Sequence, residues 1–399
     1  MKLFHLADLH LGKSIYEHDL VPDQNHVLQQ IADLANEQQP ACVVLAGDIF
    51  DRAVPPPEAV SLLGNFLARL KRENPQLLIA IIPGNHDSPA RLAYLSGVLD
   101  QAGVHIRSDL ARCTEAVVVE QHGQKARLWL VPFLSPGALP HADADGSAPP
   151  RTQADLFAAV MNMIEAAMQE ARAADKRAGL KRASDVLVCH AFASGGRSGD
   201  SERAFLGTAE LVDMSLCANF DYVALGHLHR PQAAGSNGHY AGSLLAYSFA
   251  DADCARGFMA VDCMPDSCSA TLVEISPLRR MIRLRAAFED LLHDEKYSVH
   301  ENDYIEAVLE DADRVLNPMD PLRRRFPYLL SLGQASIARG ATSTQQDTQT
   351  DAGAPVDIMD EYREFFRAMF GASPQADDEA LFAQLLQAAR ERQREGGVV

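Results

Sequence analysis

The chain has 399 residues, enough for two or three domains and for a proper buried core. Its hydrophobic fraction of 47% and charged fraction of 23% are ordinary for a soluble globular protein. The formal net charge of −18 speaks against tight DNA binding by this chain alone, because a self-sufficient DNA-binding domain carries a basic footprint; it leaves room for local basic patches or a basic partner.

Along the first half, short apolar runs alternate with amphipathic stretches. Residues 3–7, 42–46, 77–82, 186–189 and 222–225 are rich in Val, Ile and Leu and read as buried strands. Residues 25–38 and 58–73 have helical patterns, and Pro55-Pro56-Pro57 suits a helix start. Residues 135–152 read as a surface loop, followed by a long helix over about 154–182. Further strands are expected at Tyr240, 258–262 and 270–275, closing a first domain over 1–277. This is an α/β pattern with sheet layers covered by helices.

Residues 278–332 read as a small α/β unit. Ile282 and Leu284 start it, a helix is expected near Phe288, a strand over 304–309, and Arg323-Arg324-Arg325 form a basic cluster. Residues 333–355 are rich in Ser, Thr, Gln, Gly and Ala and read as a flexible linker. In the tail, 356–399, Ile358, Tyr362, Phe365, Phe366 and Met369 make one apolar helical stripe. Leu381, Leu385, Leu386 and Ala389 make a second. Two such helices have little core of their own and read as a docking element for another protein.

The 7 cysteines are an odd number without C-x-x-C spacing. Cys42 and Cys189 lie in apolar runs and read as buried free thiols, which fits a reducing compartment. The N-terminus is too short and polar for a signal peptide, and no run approaches the ~20 apolar residues of a membrane span. A cytoplasmic location is expected.

Five patches carry chemistry: Asp8-Leu9-His10, Gly47-Asp48-Ile49-Phe50-Asp51-Arg52, Gly84-Asn85-His86-Asp87, His190, and Gly226-His227-Leu228-His229. Each alone is ordinary; D-x-H pairs cap turns, and an isolated histidine is usually a core residue. All five, however, fall at or just past the end of a predicted strand, where ligands sit in α/β sheets. Carboxylate, amide oxygen and imidazole together suit two divalent ions such as Mn, Fe or Zn. Two such ions clamp a phosphate and activate a water for in-line attack, which is what phosphodiester hydrolysis needs. His5, inside the first strand, reads as a core residue instead.

These motifs resemble the calcineurin-like metallophosphoesterases, and within them the SbcD-type nuclease subunits of double-strand-break repair. The resemblance runs through FHLADLHLGK, GDIFDRAVPPPEAV, GNHDSP, VCHAF, DYVALGHLHRPQ and YAGSLLAYSF, and covers nearly the whole chain. It implies a two-sheet sandwich flanked by helices, a small capping domain and a helical tail. It implies one ion on Asp8, His10 and His229, the other on Asn85, His190 and His227, and Asp48 bridging them. His86 is similar to the family's catalytic histidine, a general acid or transition-state stabiliser. The metal implied is Mn²⁺.

At Asp51 the chain departs from the archaeal members, which have a histidine there. Asp51-Arg52 looks instead like the D-R pair of protein phosphatases, so Asp51 is expected to orient His86, with Arg52 a candidate phosphate contact. The resemblance also implies DNA as substrate, an SbcC-like coiled-coil ATPase bound by the tail helices, and a homodimer within a heterotetramer, paired through the helices after Asp8 and Asp51. Arg279, Arg280, Arg283, Arg285 and the 323–325 cluster would meet DNA phosphates, solvent or the partner. Two rival functions are a phosphoesterase for a small phosphodiester or phosphomonoester and a non-catalytic scaffold; the complete ligand set argues against the second.

Overall fold

The computed structural model describes residues 1–135, 152–193, 211–264 and 267–335, with scattered residues between 359 and 386. The chain divides into two compact units, Met1–Ser336 and Ile337–Val399.

The first unit is built on two six-stranded sheets. One holds β1 (Lys2–Leu6), β2 (Cys42–Ala46), β3 (Leu78–Ile82) and β4 (Val104–Ile106), with β11 (Gly257–Met264) and β12 (Ser267–Glu274) on the far side of β1. Its order is β12-β11-β1-β2-β3-β4, parallel from β1 to β4 and antiparallel elsewhere. The other holds β5 (Val117–Gln121), β6 (Gln124–Val131), β7 (Ser184–His190), β8 (Tyr222–Gly226), β9 (Gln232–Ala234) and β10 (Gly238–Tyr240). Its order is β9-β10-β8-β7-β6-β5, with β10, β8, β7 and β6 parallel.

Side chains alternate across a strand, and that alternation produces the layers. Along β2, Val43 and Leu45 face α1 (Val21–Gln38) and α2 (Pro57–Glu73), while Val44 and Ala46 face the second sheet. Along β7, Val186 and Val188 face the first sheet, and Leu187 and Cys189 face α3 (Gln153–Arg177). The protein is therefore a two-sheet sandwich flanked by helices, with cores between and outside the sheets. Both Cys42 and Cys189 are buried free thiols, and His5 is buried in β1.

Several elements depart from expectation. Helix α1 begins at Val21, four residues early, because Pro22 fits the first turn, where no N–H is needed. Helix α3 starts at Gln153 as expected, capped by the Thr152 hydroxyl, which accepts the Asp155 N–H at 3.1 Å, but it stops at Arg177, short of the expected 182, where Gly179 with φ 66° turns the chain out of the helix. The β5–β6 hairpin turns on His122-Gly123, both with positive φ (51° and 73°), the geometry of a two-residue turn. Most of the 135–152 loop lies outside the described residues.

Residues beyond 280 add a parallel three-stranded sheet: β13 (Met281–Ala286), β14 (Tyr304–Leu309) and β15 (Leu329–Gln334). With α4 (Phe288–His293) and α5 (Met319–Arg325) it encloses a small core of Leu291, Ile305, Phe326 and Leu329. Met281, Tyr304 and Leu330 join the core beneath α1, so this sheet is part of the first unit. Its arginines are largely engaged. Arg279 pairs with Asp23, Arg280 with Asp303, Arg283 with Glu306, and Arg325 with Glu301. Arg285, Arg323 and Arg324 are exposed.

In the second unit, Tyr362 stacks on Phe382 at 4.0 Å and Arg363 pairs with Glu379, so its helical segments pack on each other. The stripe residues Ile358, Phe365, Met369, Leu385 and Ala389, and nearly all of the 333–355 linker, lie outside the described residues. No helix among the described residues is long and apolar enough to cross a membrane.

Candidate metal centre

The β1–β2 pairing continues past the strand ends. Asp8 N–H donates to the Gly47 carbonyl (3.1 Å), His10 N–H to Asp48 (3.0 Å) and Leu11 N–H to Ile49 (2.9 Å). The first two motif loops thus run side by side, though in a strained form. Asp8, His10 and Asp48 have φ of 53°, 43° and 49°, and His227 has 107°. Non-glycine residues held there cost of order 1–3 kcal/mol each, and such strain clusters at functional sites. A Cβ on Gly84 would run into the Asp48 carboxylate and main chain, so this loop approach is open only to glycine.

The second sheet delivers His190 at the end of β7 and His227 and His229 after β8. Asp8 ties the sheets together, accepting the His227 N–H at 3.0 and 3.2 Å. Two donor groups result. Asp8, His10 and His229 converge, with the Nε2 atoms of His10 and His229 3.0 Å apart. Asn85 Oδ1 stands 3.0 Å from His190 Nε2 and 3.1 Å from His227 Nδ1. Asp48 lies between the groups, its Oδ2 3.7 Å from His10 Nε2 and 3.5 Å from His190 Nε2. Asp8, His10, Asp48 and His190 are all buried, a costly place for polar groups unless they bind something.

The electrostatics suit cations. Burial holds His10 well below the ordinary histidine range, lowers His227 to about 3 and His229 to about 4, so these rings keep lone pairs free of protons. Burial opposes charge on both His190 and Asp48, but their mutual attraction outweighs it. His190 rises to about 9, and Asp48 is held well below the carboxylate range. His190 Nδ1–H donates to the Ala46 carbonyl at 2.9 Å, which fixes the ring and aims Nε2 at the site. Mixed carboxylate, amide and imidazole donors in two adjoining groups fit two divalent transition-metal ions.

His86 stands half-buried beside His10 and Asp48. Its N–H is accepted by Asp48 Oδ1 at 2.9 Å, and its Nδ1 lies 2.9 Å from the main-chain carbonyl of Asp51. The Asp51 carboxylate turns away to Lys13 Nζ (2.6 Å) and His10 Nδ1 (3.6 Å). Orientation of His86 by residue 51 therefore runs through the backbone, a contact independent of the side chain at that position. Arg52 is 68% exposed, with its Nε 3.7 Å from Asp51 Oδ2.

Residues that sequence reasoning passed over hold the loops. Asp87 accepts N–H bonds from Ile49 (3.0 Å), Phe50 (2.9 Å) and Gly84 (2.9 Å), joining two motif loops. Its place after GNH and the turn chemistry of Asp were the available signal. Gln24 Nε2 donates to the His10 carbonyl at 2.7 Å, Tyr247 hydroxyl to Leu9 at 2.7 Å, and buried Arg256 to His229. These three come from distant sequence with no local mark.

A profile of the calcineurin-like phosphoesterase family matches residues 1–138. The SbcD subunit of the SbcCD nuclease of Staphylococcus epidermidis is 30% identical over 335 residues, covering 83% of this chain and 85% of that protein. Two solved structures, TT1561 of Thermus thermophilus (TM-score 0.36, 12% identity, 68% of this chain and 98% of that one) and GAP50 of Plasmodium (0.37, 12%, 90% and 99%), are too distant to bear on the site. With the phosphoesterase profile matching its first 138 residues and a relative matched over most of both lengths, the chain belongs to the calcineurin-like phosphoesterases, in the family of the SbcD subunit of the SbcCD nuclease.

Proposed function

We propose that this chain is the nuclease subunit of an SbcCD-type complex and hydrolyses DNA phosphodiesters with two divalent ions, Mn²⁺ being the expected metal. The observation that carries the reading is the position of Asp48 between two donor groups, at 3.7 Å from His10 and 3.5 Å from His190. In this reading Asp8, His10 and His229 would hold one ion, Asn85, His190 and His227 the other, and Asp48, lying between the groups, would serve both. Ions so held supply Lewis-acid polarisation of the phosphate and a water nucleophile at neutral pH.

The remaining chemistry belongs to the chain's own groups. His86, with Nδ1–H given to the Asp51 carbonyl, presents Nε2 to the departing oxygen as proton donor or to the charge that builds on the phosphate. Arg52, exposed at the mouth, contacts a neighbouring phosphate. Asp51 acts on His10 and Lys13.

Residues 278–332 serve as a capping domain that positions DNA. Of the arginines considered for this, Arg285, Arg323 and Arg324 are exposed and are the first candidates for phosphate contacts, while Arg279, Arg280, Arg283 and Arg325 have carboxylate partners, Arg280 and Arg283 remaining exposed as well. The net charge of −18 fits a chain that relies on a coiled-coil ATPase, docked by the tail helices, for DNA affinity. Pairing of two copies through α1 and α2 places two such sites in one heterotetramer. Exonuclease action on duplex ends and cutting of hairpins are the expected activities, in the cytoplasm.

The test is incubation with Mn²⁺ and end-labelled hairpin DNA, alone and with the ATPase partner and ATP. Cleavage increased by the partner and lost with EDTA or in Asp48→Ala supports the reading. Hydrolysis of a small phosphodiester without DNA cleavage in either format overturns the substrate assignment.

A further inference from the structure

Asp23 and Gln24 are neighbours in the first turn of α1, both buried, and they face different parts of the molecule. Gln24 faces the metal centre. Its Nε2 donates to the His10 carbonyl (2.7 Å) and its Oε1 accepts the Gly12 N–H (3.0 Å). It thereby holds the left-handed turn at His10, whose φ of 43° needs support from outside the loop.

Asp23 faces the three-stranded sheet. Its Oδ2 accepts from Arg279 Nη1 (2.7 Å) and from the Tyr304 hydroxyl (2.9 Å). Arg279 also donates to the Tyr328 hydroxyl at 3.0 Å and lies over the Tyr328 ring, 4.3 Å from its centroid. His18, in the short hairpin of Ser14–Ile15 and His18–Asp19 that joins β1 to α1, packs against Tyr304 and Tyr328. The segment from Leu9 to Gln24 is thus clamped at one end by the metal site and at the other by the sheet. The seam is not filled: a cavity of about 220 Å³ is lined by Asp23, Arg279 and Tyr304 among others.

We propose that Asp23 and Gln24 are positioning residues through which the seating of the three-stranded sheet sets the geometry of His10. A shift of Arg279 and Tyr304 drags Asp23, and a helix turn cannot move Asp23 without moving Gln24. Gln24 in turn carries the His10 main chain, and so the spacing of His10 from His229 and Asp48. The inference rests on reading His10 as a metal ligand.

The test compares Gln24→Ala with a charge-neutral double variant, Asp23→Asn with Arg279→Met. The double variant avoids leaving one buried charge unpaired, which would threaten folding. Mn²⁺ binding is measured by calorimetry on the full chain, beside thermal melting and turnover of bis(p-nitrophenyl) phosphate, a substrate too small to touch the sheet. Both variants are expected to bind one Mn²⁺ about tenfold more weakly and to lower kcat more than KM. The triple variant is expected to lose no more than Gln24→Ala, because both act on the same atom of the chain.

Wild-type Mn²⁺ affinity in the double variant overturns the proposal, as does an additive triple variant or a lowered melting temperature with unchanged metal binding. A wild-type chain that binds Mn²⁺ but cuts no DNA removes the nuclease assignment and leaves this comparison intact. A wild-type chain that binds no Mn²⁺ overturns both.

Discussion

His86 Nδ1 lies 2.9 Å from the main-chain carbonyl of Asp51, and the Asp51 carboxylate points elsewhere, to Lys13 and His10. The two functions of residue 51 are therefore separable. Asp51→Ala is expected to keep His86 in place and to weaken Mn²⁺ binding about tenfold through the lost contact beside His10. His86→Ala is expected to keep metal binding and lower kcat by about 10²–10⁴. Metal titration and steady-state kinetics on both variants check this; an Asp51→Ala chain that behaves as His86→Ala would show that the carboxylate orients the ring after all.

His190 is raised to about 9, because Asp48 outweighs the burial that opposes its charge. In the proposed two-ion site, that ring proton would have to leave before His190 could hold a metal. Its folded pKa lies above the ordinary histidine value of 6.5, so its contribution to stability is full below that value and is lost as pH rises through about 9. Mn²⁺ binding near neutral pH is expected to release about one proton, and to tighten as pH rises toward 9. Calorimetry in buffers of different ionisation heat measures the release directly. Binding with no proton release would mean His190 is neutral or is not a ligand.

Asp87 is raised to about 6 by burial and by the negative Asp48, despite three main-chain N–H donors. A carboxylic acid with a raised folded pKa contributes stability that is full at low pH and lost as pH rises through about 6. Asp87→Asn removes the charge but turns an amide NH₂ toward N–H donors, whichever way it is placed. It is expected to destabilise the fold by about 1–3 kcal/mol and to lower activity, as the two motif loops separate. Thermal melting at pH values on either side of 6 checks both the size and the pH dependence.

Two glycines give opposite expectations from the same substitution. Gly64 lies within α2 with nothing within 4 Å of an added Cβ, so Gly64→Ala is expected to stabilise by about 0.5–1 kcal/mol. In Gly84→Ala the new Cβ meets Asp48, and Mn²⁺ binding is expected to be lost. A Gly84→Ala chain with wild-type metal content would contradict the loop geometry.

The layers and the strand ends are legible in the apolar pattern of the chain. Runs such as Val43–Ala46 and Val186–Cys189 are apolar on both faces because both faces are covered, and the motif residues follow where those runs stop. Local pattern is weaker for the short or one-faced strands, such as β4 and β5, whose alternation spans only a few residues. Which atoms meet is settled only on folding. Residue 51 acts on His86 through a carbonyl every residue carries, so no side-chain identity records it. Gln24 and Arg256 reach His10 and His229 from segments fourteen and twenty-seven residues away, by contacts that chain folding alone creates. The pairing of Asp23 with Arg279 spans 256 positions, and periodicity carries no information over that distance.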